Sequence, residues 1–201
     1  MPVTLSVQSD LLRAMAKLRT LTEAKQFRFA TAQALTKTAA EVQTGVKQAM
    51  PSRFTIRRSW VIQGIRMDKA TKDNLTATVY SRDKFMGLQE VGGPKSPLRN
   101  YIAVPTRATK RTKTDMVRKS DRPKALGDKV EVVEVNGNKF LALKKARKGR
   151  SGNELRLLYL LVPRPRIQER LGLRRDGHRI ARQRFIPNLQ AALARAVATA
   201  R

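Results

Sequence analysis

The chain has 201 residues, of which 41% are hydrophobic and only 5% aromatic, and its 43 Lys and Arg against 15 Asp and Glu give a formal net charge of +28. No stretch approaches the ~18 consecutive apolar residues of a membrane-spanning helix, the N-terminus lacks the basic-then-apolar layout of a signal peptide, and the absence of cysteine excludes disulfides and thiolate chemistry. So large a positive charge attracts polyanions: nucleic acid first, then acidic protein surfaces, then anionic membrane.

The first 50 residues predict helices. Ser9 and Asp10 can cap a helix that begins LLRAMAKL. A second helix is predicted at about 23–50, because apolar residues recur close to every 3.6 positions. Its apolar stripe is rich in alanine, which favours close packing in a core. Pro51 is expected to end this helix.

After Pro51 the apolar pattern changes to a period of two. The runs SWVIQGIRM and NLTATVYS, joined by a polar turn, predict a β-hairpin. Glycines and prolines punctuate the stretch that follows, so residues 52–104 are interpreted as a hairpin and short strands. Residues 105–128 are predicted to form a basic loop, and the eight basic residues against three acids in 107–128 indicate disorder unless this loop is bound.

Residues 129–163 predict a second hairpin and a strand. Asn136-Gly137 lies between two β-rich runs and is a favoured two-residue turn, because both positions tolerate positive φ. Adjacent Val132 and Val133 break the alternation and indicate a bulge. The apolar run ELRLLYLLV ends before Pro163 and predicts a central strand. The segment KKARKGRSG therefore connects two strands as an exposed loop.

Residues 164–185 form an arginine-rich segment, and within 164–184 eight arginines face only Glu169 and Asp176. Residues 186–201 predict a C-terminal helix with Pro187 in its first turn. Together the patterns predict a single α+β domain over 1–201. In it, helices from residues 1–50 and the C-terminal helix pack on a mostly antiparallel sheet, and long basic loops project.

Reactive side chains are sparse. His178 is the only histidine and has no second potential ligand at metal-binding spacing, so a structural or surface role is the simpler interpretation. The acids are too scattered for the carboxylate cluster of a metal-dependent nuclease. The sequence therefore predicts no enzyme, no metal site and no cofactor. A DNA-processing enzyme, whose acids would converge only in the fold, is the alternative.

The basic residues lie chiefly in loops, and no predicted helix carries them on one clean face. Contact with phosphates or with an acidic partner is therefore favoured over reading of bases. For each group a merely solvated surface is the alternative interpretation. The candidate contact residues are Lys144, Lys145, Arg147, Lys148, Arg150, Arg107, Lys110, Arg111, Lys113, Arg174, Arg175 and Arg179.

The order of several segments carries a family resemblance. A helix ending ALTKTAAEVQTGVKQAMP leads into RFTIRRSWVIQGIRM and its hairpin, GLQEVGG follows, and the chain closes with RFIPNLQAALARAV. This order resembles the phage minor tail protein Z family and the related tail-completion proteins of long-tailed phages.

The resemblance implies a structural virion protein at the head-proximal end of a tail, assembled in the host cytoplasm. It implies a homo-oligomeric ring, expected to be a hexamer, between the tail-tube terminator and the head connector. Double-stranded DNA at the genome end would offset the charge of such a ring. No membrane partner is expected. A free nonspecific nucleic-acid-binding protein is the alternative.

Overall fold

The structure is a computed structural model that describes residues 3–6, 21–97, 100–146 and 153–199. Its helices and mostly antiparallel sheets confirm the predicted α+β class. In chain order the helices are α1 (Leu21–Arg53), α2 (Trp60–Gln63), α3 (Phe85–Val91), α4 (Pro123–Leu126) and α5 (Leu173–Thr199). The strands are β1 (Val3–Ser6), β2 (Ile65–Asp68), β3 (Thr76–Ser81), β4 (Gly93–Pro94), β5 (Ile102–Pro105), β6 (Val130–Val135), β7 (Asn138–Ala146), β8 (Asn153–Val162) and β9 (Arg166–Ile167).

The chain divides into two compact units. The first comprises residues 1–92 and 168–201, and the second comprises 93–167. In the first unit, β1, β3 and β2 form an antiparallel sheet in that order. In the second unit, β5, β8, β7 and β6 form a four-stranded antiparallel sheet, and β4 pairs with β9. The single domain over 1–201 stays a prediction.

The core of the first unit forms where α1 meets the β2–β3 hairpin. Leu35, Val42, Val46 and Met50 recur along one side of α1 and are buried against Ile65 of β2. This spacing is the 3.6-residue period of the sequence, so the predicted apolar stripe is confirmed as core. Two pairs of small residues, Ala30 with Ala34 and Ala192 with Ala196, form a separate cluster between α1 and α5.

Two boundaries of α1 bear on the predictions. The predicted helix that begins LLRAMAKL lies outside the described residues. At the other end, α1 continues through Pro51 to Arg53 instead of ending at the proline. Phe54 N–H donates a hydrogen bond to Met50 O at 2.9 Å, so the last turn closes although Pro51 has no N–H to give.

The predicted hairpin is confirmed only over Ile65–Asp68 and Thr76–Ser81. Trp60–Gln63, predicted as strand, instead forms the single turn α2, in which Gly64 N–H donates to Trp60 O at 2.8 Å. Phe85–Val91, predicted as part of a set of short strands, is the helix α3. Gly92 ends it with a positive φ of 70°.

The second hairpin is confirmed, with φ of 51° at Asn136 and 74° at Gly137. The predicted bulge at Val132 and Val133 is wrong, because the β6–β7 register is continuous there. The shift lies instead between β7 and β8 at Leu141/Ala142. Strand β8 has a neighbour on either side, as predicted for a central strand.

The basic segment 107–128 is folded onto the sheet of the second unit, so the prediction of disorder is wrong. Leu126 of α4 is buried in one cluster with Leu158 and Tyr159 of β8. The Tyr159 hydroxyl donates a hydrogen bond to Asp121 O at 2.6 Å. A few anchoring contacts hold a segment whose overall composition is that of a solvated loop.

The C-terminal helix begins at Leu173, well before the predicted start at 186. Pro187 therefore lies inside α5 and not in its first turn. Pro187 has no N–H, so it cannot donate the helical hydrogen bond to the carbonyl of Gln183. Both residues are exposed, so water can bind this carbonyl instead. Most of the arginine-rich segment 164–185 is consequently helical.

Candidate functional site

The C-terminal arginines form a cationic strip on α5. Arg175, Arg179 and Arg182 recur at i, i+4 and i+7 and are exposed, so they lie on one side of the helix. With His178 and Gln183 they line a shallow groove. At ~1.5 Å of rise per residue the three arginines span about 10 Å along the axis. We call the surface formed by Arg175, His178, Arg179 and Arg182 the arginine face.

The first turn of α5 is fixed by an acid from α3. Both oxygens of Glu90 accept hydrogen bonds, from Leu173 N–H at 2.8 Å and from Arg174 N–H at 2.9 Å. A negative charge is favourable at this end of a helix. The position that an external anion could take is therefore occupied by Glu90, and the anion-binding potential of α5 lies in its side chains.

A salt bridge ties the start of α5 to the end of α1. Arg53 Nη2 lies 2.6 Å from Asp176 Oδ2, and Arg53 Nη1 donates to Leu171 O at 2.5 Å. The Asp176 side chain is only 9% exposed, whereas the neighbouring Arg175 is 75% exposed and lies 3.5 Å from Asp176 Oδ1 through Nε. Asp176 is thus directed inward, and Arg175 presents its charge to solvent.

The predicted residue Arg174 is exposed beside the arginine face, and its backbone is held by Glu90. Arg184, further along α5, pairs through Nε with Glu41 Oε2 at 3.0 Å and so ties α5 to α1. Of the arginines predicted here to make contact, Arg175 and Arg179 lie on the face itself.

A second basic group follows β5. It comprises the predicted contact residues Arg107, Lys110, Arg111 and Lys113. Arg111 is half-buried, and its Nη1 lies 3.0 Å from Asp115 Oδ1. The other three are exposed, and the Lys110 backbone N–H donates to Asp121 Oδ2 at 3.0 Å. The exposed amine and guanidinium groups remain available to an anion.

Two titratable groups link this segment to the sheet. Burial opposes ionisation of Asp121, but hydrogen bonds from Lys110 N–H and the Ser120 hydroxyl, together with the charges of Lys110 and Arg156, outweigh it, and the pKa of Asp121 lies below its usual value. Burial, aided by the negative charge of Asp121, raises the pKa of Tyr159. The fold of the segment therefore favours the ionised form of Asp121.

The third basic group is only partly described. Lys144 and Lys145 lie on β7, where they pair with Leu155 and Glu154 of β8. Arg147, Lys148 and Arg150 lie outside the described residues. The α5 residues belong to one compact unit, and the other two groups belong to the second unit. That any of these residues contacts nucleic acid or an acidic partner stays a prediction.

Sequence reasoning missed an exposed aromatic surface in the first unit. Trp60 and Phe85 are 44% and 51% exposed, and their ring centroids lie 6.0 Å apart at an interplanar angle of 84°. We call the groove that contains this pair the aromatic groove; it is lined by Phe54, Thr55, Ile56, Arg57, Arg58, Trp60, Val61, Phe85, Met86 and Gln89.

Two searches for other site types are negative within the described ranges. No group of three or more His, Cys, Asp or Glu there could hold a metal ion. None of the helices there is sufficiently long and apolar to cross a membrane.

The comparisons with known proteins concern the first unit. Residues 13–92 match the HK97-gp10-like family, described as "Bacteriophage HK97-gp10, putative tail-component". Over these residues the chain is similar to phage tail components. No curated protein and no solved structure matches the chain. The match supports a structural tail protein, in agreement with the broad class that the sequence order implied.

The matched residues include α1, α2, the β2–β3 hairpin and α3, which form much of the first unit. They also contain Trp60 and Phe85 of the aromatic groove. The arginine face on α5 and the whole second unit lie outside the match. The matched segment is thus a helix and hairpin frame, and all twelve predicted contact residues lie in other parts of the chain.

Proposed function

We propose that this protein completes the phage tail at its head-proximal end and joins it to the head connector. The observation that carries the proposal is the match of residues 13–92 to a family of tail components. The order of helix, hairpin and C-terminal helix supports the finer position in the tail. In this role the protein acts by binding neighbouring virion proteins, the tail-tube terminator on one side and the connector on the other.

The protein assembles as a homo-oligomeric ring, for which six copies are expected. At +28 per copy, a ring accumulates positive charge that repels itself unless anions lie nearby. Two sources of anions are present at the head-proximal end of a tail: the acidic surfaces of adjoining rings and the genome end in the lumen. The chain is consequently expected in the virion, after assembly in the host cytoplasm.

The arginine face is the surface best formed to meet DNA. Its arginines span about 10 Å, and one DNA strand carries a phosphate about every 3.4 Å along the axis. Arg175, Arg179 and Arg182 can therefore contact neighbouring phosphates of one strand without reading bases. The predicted groups around Arg107 and Lys144 are further candidates for the lumen or for acidic neighbours.

The position in the virion is tested by mass spectrometry and electron microscopy of purified particles. We expect the chain in isolated tails, and density for it as a ring between tail tube and connector. Phage preparations made without the chain should contain filled heads and tails that are not joined to them. Its absence from tails and virions would contradict the proposal.

Contact with DNA is tested by measuring affinity for a short duplex across a salt series. Because each neutralised phosphate contributes about 0.9 to the slope of log K against log salt, Arg179→Gln with Arg182→Gln should lower the slope by about 2. Arg195→Gln removes one charge from the same helix away from the face and should leave the slope unchanged. An unchanged slope in the double variant would exclude DNA from the arginine face.

The arginine face also favours a second candidate, a free nonspecific nucleic-acid-binding protein. The two functions differ in assembly. A chain that stays monomeric at every concentration and coats duplexes of any length supports the second candidate. A ring of fixed stoichiometry supports tail completion.

A further inference from the structure

The aromatic groove has the composition of a protein-binding site. Trp, Tyr, Phe, Met and Arg are enriched in interfaces, and Trp and Arg most often carry the binding energy. Here Trp60 and Phe85 expose much of their surface, Met86 lines the groove and belongs to the buried core, and Arg57 and Arg58 are exposed. Aromatic residues make up only 5% of the chain, and its single tryptophan is one of those that are exposed.

The charge of the groove defines its partner. No acidic residue is found among the described residues that line it. An apolar side chain that packs over the exposed parts of the two rings needs to be followed by a carboxylate, so that Arg58 is neutralised as water is excluded. The partner segment should thus combine an exposed aliphatic side chain with a nearby Asp or Glu.

Several acids of this protein are already paired within the chain. Glu90 caps α5, and Asp176, Glu41 and Asp115 form salt bridges with arginines. A carboxylate that is already paired within its own chain is less available to bind a partner. The candidates for the partner segment are therefore acids that lie beside exposed apolar residues.

Strand β6 combines an exposed aliphatic side chain with a nearby acid. Val132 is a large apolar side chain that is 60% exposed; Glu131 directly precedes it, and Glu134 follows two residues later. Val132 and Glu134 lie two residues apart on the strand, so they share one face at a separation of about 7 Å. Among the described strands, β6 lies at the edge of its sheet, and no strand pairs with its other side there.

We propose that the aromatic groove of one copy receives β6 of a neighbouring copy. Val132 packs over the exposed parts of the Trp60 and Phe85 rings, and Glu134 pairs with Arg58. The two surfaces differ, so the contact is heterologous and repeats head to tail, which is the kind of contact that closes a ring. This interface rests on the proposed ring and specifies how its copies join.

Single-stranded nucleic acid is the other partner that aromatic and basic residues can bind. Bases stack on flat ring faces. Trp60 and Phe85 are instead arranged edge to face, at 84°, with Val61 and Met86 beside them. The pair and its aliphatic neighbours form an apolar surface that suits an aliphatic side chain, which favours a protein partner.

The test is sedimentation velocity of the full chain over a range of concentrations, with emission from Trp60 recorded in parallel. Because this is the only tryptophan, its emission reports directly on the groove. Arg58→Glu and Glu134→Arg should each weaken association by about tenfold or more. The double variant restores an opposite pair and should recover association, which a folding defect would not do. Circular dichroism checks the fold of each variant.

Two charge reversals elsewhere serve as controls: Arg195→Glu on α5 and Glu169→Arg before it should associate like the wild type. A ring that forms equally well in Arg58→Glu and Glu134→Arg overturns this interface but leaves tail completion standing. A wild type that stays monomeric overturns the ring and the interface together. A shift of Trp60 emission with oligothymidylate, but not with protein concentration, assigns the groove to nucleic acid and overturns the proposal.

Discussion

At the scale of single residues, the turn between β6 and β7 depends on a backbone conformation that few residues adopt. Gly137 has φ of 74°, and no heavy atom lies within 4 Å of the position that a Cβ would take. Gly137→Ala therefore meets no steric obstacle and should lower the free energy of unfolding by about 1–2 kcal/mol through the left-handed backbone alone. Urea unfolding followed by circular dichroism measures the change.

Gly87 provides the matched control, because its added Cβ also meets open space but the residue lies within the helix α3. Alanine is the better helix former, so Gly87→Ala should leave stability unchanged or raise it by up to about 1 kcal/mol. Equal losses in the two variants would contradict the conformational explanation.

At the scale of elements, the fold of the segment after β5 is sensitive to acid. The folded-state pKa of Asp121 lies below the unfolded value of 3.8, so its contribution to stability is complete above that value and is lost as the pH falls through the folded pKa. The wild type should therefore lose more stability than Asp121→Asn between about pH 5 and about pH 3. Urea midpoints at the two pH values test this difference.

The control for this acid limb is Asp128→Asn, which removes an exposed carboxylate from the same segment. It separates the local hydrogen bonds of Asp121 from the general effect of one lost negative charge. If the wild type and Asp121→Asn lose the same stability between the two pH values, those hydrogen bonds do not stabilise the segment.

Elements whose signal is local were predictable from the sequence. Asn136-Gly137 specifies its turn by its own backbone preference, and the α1 stripe shows its period within a few turns. Trp60 lies in an apolar run that is compatible with a strand, but it forms the turn α2 because pairing with β3 begins only at Ile65. The segment 107–128 was missed because its order depends on Leu126 and Tyr159, contacts that composition does not display.

The arginine face was missed for a similar reason. Pro187 has the sequence signature of a helix start, so the arginines before it were assigned to an irregular segment. The real start at Leu173 is fixed by Glu90, which lies 83 residues earlier in the chain. A helix boundary set by a distant acid leaves no local pattern, and the regular spacing of Arg175, Arg179 and Arg182 becomes meaningful only once that boundary is known.

At the scale of the whole molecule, two of the few acids are held by partners within the chain, while several arginines lie at the surface. Asp176 is held inward by Arg53, and Glu90 is held by the backbone of α5, whereas Arg175, Arg179 and Arg182 are exposed. The exposed arginines of α5 therefore present positive charge to solvent. The stability of the chain should depend on what screens or neutralises that charge.

This dependence gives the last prediction. Raising the salt concentration from roughly 10 mM to roughly 150 mM shortens the Debye length from about 30 Å to about 8 Å. Self-repulsion within a compact chain of +28 should fall accordingly, and the melting temperature should rise. A short DNA duplex added at the low salt concentration should raise it as well, because a ligand of the folded state stabilises that state by mass action.

The increases in melting temperature caused by salt and by the duplex should not be additive, because salt that screens the charges of the chain also weakens its binding to phosphates. At the higher salt concentration the effect of the duplex should therefore shrink. A neutral polymer of similar size at low salt controls for crowding and should leave the melting temperature nearly unchanged. Melting curves that ignore both salt and duplex would mean that the surface cations are already balanced within the fold, which would remove the physical reason for an anionic neighbour in the assembled tail.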